Sequence, residues 1–139
     1  MTTLELSPPE GIARESIERF DLDRDLRIVI TVGDAPPQRW FRRDESGWTE
    51  IFPRDDRELP FAARLESLGA SVKILSWKPG RRLTLAAPYR SNRAVYKAHR
   101  KSGHVKALAA QVGAQLALRD AGFASAPLVE HSRELAVMI

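Results

Sequence analysis

The chain has 139 residues, a formal net charge of +4, 43% hydrophobic and 29% charged residues, and no cysteine. That length suits one modest domain, or one lobe with an extension, and the composition is that of a globular chain. Disulfides and thiolate metal sites are excluded, and with no apolar run of membrane-span length and no signal-peptide core at the start, a cytoplasmic protein without a membrane partner is expected.

In chain order, residues 1–7 read as a frayed start. Pro8, Pro9 and Glu10 open an expected helix through Phe20, with Ile12, Ile17 and Phe20 as its apolar stripe. The β-branched run 26–32, ended by Gly33-Asp34, predicts a strand. Residues 39–43 and 48–52 predict two more, joined by the turn Asp44-Glu45-Ser46-Gly47. A polar stretch, 53–58, leads into a short helix over 60–68, closed by Gly69.

The second half is more regular. Residues 72–77 predict a strand, and Lys78-Pro79-Gly80-Arg81 has proline and glycine where a type II turn requires them. Residues 83–87 return as a second strand, 89–92 turn again, and 94–99 form a third. Ser102 is placed to cap a helix running to about Ala121, with Val105, Leu108, Val112 and Leu116 as its buried stripe and Gly122 just past its end. Two strands, 127–130 and 134–139, complete the chain. The reading is an α+β fold: residues 1–69 as an acidic extension with a helix, strands and a hairpin, then residues 70–139 as a domain of order βββ-α-ββ.

Charge separates the same two segments. Residues 1–69 hold ten Lys/Arg against fifteen Asp/Glu, and residues 70–139 hold twelve against three. Between Glu66 and Asp120 lie eleven Lys and Arg and no acid. Such asymmetry points to an anion-seeking C-terminal half or to docking between the acidic and basic halves, or simply to a face kept solvated. Within the acid-free stretch, strand alternation sets Val95, Lys97 and His99 on one face and Ala94, Tyr96 and Ala98 on the other. Lys97 there is either a phosphate-contacting lysine or an edge lysine that guards the sheet against aggregation. Asp21, Asp23 and Asp25 imitate the start of a calcium loop, but Leu26 and Val32 stand where glycine and a bidentate glutamate are required. His99, His104 and His131 lack a metal-ligand spacing, and no nucleophile elbow supports Ser-His-Asp chemistry. Trp40, Trp48 and Trp77 read as core.

The ordered set ILSWKPGRRLTL (74–85), AVYKAH (94–99) and LALRDAGFASAPLVE (116–130) resembles the N-terminal lobe of aminoglycoside phosphotransferase-type small-molecule kinases, a protein-kinase-like fold, over roughly residues 70–139. The resemblance implies ATP-dependent phosphorylation of a hydroxyl on a small molecule. It would place Lys97 at the phosphates, Val95 under the base, Gly80 and Arg81 in the turn over the phosphates, and Met138 with Ile139 at the adenine edge. Gln111 stands where such kinases usually carry a glutamate that pairs with the lysine, and there is no GxGxxG. The family's catalytic and metal-binding aspartates have no counterpart in residues 1–139. Catalysis by this chain alone is therefore not expected, and Mg²⁺ and the acceptor would be held mainly by a second, larger lobe. Self-association through an uncovered apolar cleft face is expected. Two other readings stay open: a non-catalytic module that binds a polyanion or a protein partner, and a silent kinase-like domain. Nucleic acid is disfavoured by 7% aromatics and the lack of a recognition motif.

Overall fold

Two antiparallel sheets and, among the described residues, one α-helix make this an α+β chain. The computed structural model describes residues 7–35, 37–69, 71–124 and 128–139, so the expected frayed start lies almost wholly outside them. The chain forms two units, Met1–Phe52 and Pro53–Ile139. Residues 53–69, expected with the acidic extension, belong to the second.

The first unit is a sheet of order β1-β2-β3-β4, with β1 at Ile17–Leu22, β2 at Ile28–Val32, β3 at Arg39–Asp44 and β4 at Gly47–Ile51. The helix expected up to Phe20 does not form. A 3-10 turn, Arg14–Ser16, precedes β1, along which half-buried and exposed residues alternate. That period of two fits a strand, and pairing with β2 satisfies its backbone. Ile30, Val32 and Phe41 are buried together, with Ile12, Ile17, Ile28 and Trp48 packed around them.

Loop carboxylates fix this sheet's connections. The Asp23 carboxylate accepts the backbone amides of Asp25 and Arg27, each at 2.9 Å, and Arg27 Nε at 2.9 Å. Leu26 takes a φ of 61° inside that loop, which is why the strand expected from residue 26 starts at Ile28. The Asp44 carboxylate likewise accepts the Ser46 amide at 2.9 Å and its hydroxyl at 2.6 Å, which closes the expected β3–β4 hairpin.

The second unit is a sheet of order β5-β6-β7-β9-β8: β5 Lys73–Lys78, β6 Arg82–Tyr89, β7 Asn92–His99, β8 His131–Ser132 and β9 Val137–Met138. The helix α1, His104–Asp120, falls between β7 and β8 in sequence. The strand expected over 127–130 begins outside the described residues. The described residues 128–130 are not strand, although Val129 and Glu130 are each bonded through the backbone to Ile139 (2.9 and 2.8 Å). The strand pair is β8 with β9, and the strand expected over 134–139 shortens to Val137–Met138 after a turn.

Leu83, Leu85 and Ala87 pair with Ala98, Tyr96 and Ala94, and Trp77 pairs with Leu83, on one apolar face. Two 3-10 helices, Pro60–Arg64 and Glu66–Leu68, replace the single helix expected over 60–68. The segment buries Leu59, Phe61, Ala62 and Leu65, and the Phe61 ring lies 5.6 Å from that of Tyr96. Fully burying one such leucine contributes about 1.5–3 kcal/mol.

The β5–β6 turn has the expected type II form, with Gly80 at a φ of 71° and the Arg81 amide donating to the Lys78 carbonyl at 3.0 Å. Its anchor is Asp56, whose Oδ2 accepts Trp77 Nε1–H at 2.9 Å and the Gly80 amide at 2.8 Å.

Ser102 does not cap α1; it sits in the 3-10 turn Lys101–Gly103, and the cap residue is Gly103. At the other end Gly122, at a φ of 83°, allows its own amide to reach Arg119 and that of Phe123 to reach Leu118, a Schellman closure. The stripe expected to be buried is not: Val105 is 60% exposed and Leu116 54%. The covered arc runs instead through His104, Leu108, Gln111 and Gln115. Alanine, glycine and leucine surround the helix on every side, so the apolar pattern does not fix its phase.

Replacing Asp56 by alanine removes a charged acceptor shared by two donors, one of them the buried Trp77 indole. The expected result is a loss of about 2 kcal/mol or more, read as a lower urea midpoint at unchanged slope. An unshifted midpoint would show that the turn holds without it.

Candidate functional site

With Tyr96 and Ala98 turned into the core, Val95 and Lys97 face the other side of β7. Register carries that face across the sheet: Thr84, Lys97, Met138 and His131 form one cross-strand row, with Ala86 and Val95 paired beside it. The helix α1 brings Gln111 to this face, where its Oε1 accepts from Lys97 Nζ at 3.4 Å. The Tyr89 hydroxyl donates to the Glu130 carboxylate and ties the segment before β8 to the end of β6.

These elements enclose an open cavity of about 630 Å³. Its apolar lining comes from Ala86, Val95, Leu128, Val129, Met138 and Ile139; its polar groups are Arg93, Lys97 and Gln111. The cavity can take a flat apolar body and hold an anionic group beside it.

Five of the residues singled out in the sequence, Val95, Lys97, Gln111, Met138 and Ile139, meet here. Gly80 and Arg81 do not. The Gly80 amide is committed to Asp56, on the side of the sheet that carries Trp77, and the Arg81 amide is committed to Lys78. The Arg81 side chain is exposed. The turn therefore has no free amide with which to cradle a phosphate. Arg93 was missed, although its alternation with Val95 and Lys97 is a readable signal. Leu128 and Val129 carry no local signal, because partners distant in sequence bring that segment to the site: the backbone of Ile139 and the Tyr89 hydroxyl.

The implied magnesium does not fit these residues. Mg²⁺ takes oxygen ligands, usually including a carboxylate. This wall supplies two cations and an amide, and no group of three or more His, Asp or Glu side chains that could hold a metal occurs among the described residues.

The three histidines, scattered in sequence, gather beside this site. His104, the first residue of α1, is 1% exposed, and its ring lies 5.7 Å from that of His131. Neither His104 ring nitrogen has a hydrogen-bond partner among the described residues, nor has His99 Nε2. Burial holds the His104 imidazole below its ordinary pKa, helped by His131 and Arg133. His99 is lowered by burial first, then by His104, Arg82 and Lys97.

Compared with protein families, curated proteins and solved structures, the chain matches none.

Because the fold favours neutral imidazoles at His99 and His104, the unfolded chain takes up protons below the ordinary value of 6.5 that the folded chain refuses. Stability is thus whole above that value and declines as pH falls through it. The urea midpoint should drop between about pH 7 and about pH 5, and His104→Phe should remove part of that drop. Identical pH profiles for the two proteins would contradict this.

Proposed function

We propose that the second unit is the ATP-binding lobe of a phosphotransferase that phosphorylates a hydroxyl of a small molecule. The observation that carries this reading is Lys97: an ammonium at the edge of an apolar cavity, on the central strand β7, with an amide from α1 at 3.4 Å. Phosphoryl transfer is catalysed largely by positioning and charge neutralisation. A lysine fixed beside a base-sized apolar slot serves both needs.

In this reading Ala86, Val95 and Met138 form the sheet-face wall against which the adenine lies, while Lys97 and Arg93 face the phosphates. The order of elements, three strands, a helix and a closing strand pair, agrees with the resemblance to small-molecule kinase lobes. Acceptor binding, magnesium and the catalytic aspartate are assigned to residues outside 1–139, and this chain's part is to bind and orient the nucleotide.

ATP titrated into the protein by calorimetry should show saturable binding, and Lys97→Ala should weaken it about tenfold or more, since a charged contact in a partly apolar site is lost. Equal affinity in the two proteins would remove Lys97 from the site.

A further inference from the structure

The charge of this cavity is one-sided. Arg93 and Lys97 line it, and no carboxylate does among the described residues. The only side chain bonded to the Lys97 ammonium among the described residues is the neutral amide of Gln111. Glu130, next to the wall residue Val129, is held by the Tyr89 hydroxyl. No acid occurs anywhere between Glu66 and Asp120, a span that contains β5, β6, β7 and most of α1. A glutamate at position 111 would neutralise Lys97 in advance; the glutamine leaves the whole positive charge for the ligand.

Resting on the nucleotide reading above, we infer that this chain binds a free polyphosphate in preference to its magnesium complex, and that Gln111 sets this preference. Two physical arguments converge. Among the described residues the wall has no cluster of carboxylates to share a hard cation with the phosphates. A free triphosphate also carries more negative charge than its magnesium complex, so Arg93 and Lys97, whose hydrogen-bond partners among the described residues are the neutral Ser71 carbonyl and Gln111 amide, attract it more strongly. Magnesium is then a competitor with this chain for the phosphates.

The test uses the whole 139-residue chain, titrated with ATP at fixed ionic strength, once with chelator and once with excess Mg²⁺. Affinity should be several-fold higher with chelator. Gln111→Glu sets a carboxylate against Lys97 and should cost about tenfold in affinity for metal-free ATP, the scale of one screened charge pair. Its effect on adenosine, which has no phosphate, should be smaller. Gln111→Met is neutral, and should keep the preference for chelator even if absolute affinity changes. Tighter binding in Mg²⁺, or equal ATP affinity for Gln111→Glu and the unaltered protein, overturns the inference while the nucleotide reading stands. No binding of ATP in either medium overturns both.

Discussion

If β7 slipped by one residue against β6, the Lys97 ammonium would enter the core and Tyr96 and Ala98 would leave it, because side chains on a strand alternate. Burying an unpaired ammonium costs several kcal/mol, and the core would lose the Tyr96 ring from its contact with Phe61. The register of this one strand is therefore held from both sides. Leu83, Leu85 and Ala87 fix it from within, and solvation of Lys97 fixes it from without. Everything proposed for the site inherits its geometry from that register.

The parts of the fold legible in sequence are those whose cause is local. Proline and glycine dictate the turn at Gly80, an Asx-type turn closes the hairpin at Asp44, and Gly122 ends α1 through its left-handed φ. What was not legible depends on partners distant in sequence. Asp56 holds Trp77 and Gly80, 21 and 24 residues away. β1 is a strand because β2 pairs with it, against helix-opening signals at Pro8 and Pro9. The same division runs through the site. Alternation gave Val95 and Lys97 and could have given Arg93, whereas Leu128 and Val129 arrive through backbone bonds to Ile139. Gly80 and Arg81 lie apart from the cavity, and a turn's shape does not say which side of the sheet its amides serve.

Histidine and glutamine do unlike work along α1. His104 contributes burial at the first residue, where a neutral ring suits the positive end of the helix dipole better than an imidazolium would. Gln111, two turns on, faces the cavity and contributes a polar contact without charge. Between and beyond them the helix presents mostly alanine, glycine and exposed leucine. The helix is thus held at its start and leans on the sheet elsewhere.

That loose seating has a thermodynamic consequence. A helix with one buried residue gains little free energy from docking, so its amides should open to exchange at lower cost than those of β6 and β7. A ligand that bridges Lys97 and Gln111 adds its own contacts to the docked state alone. By linkage, whatever docking energy the ligand lends the helix, a firmly docked helix returns as affinity. Occupancy of the cavity and order in α1 are one equilibrium observed at two places.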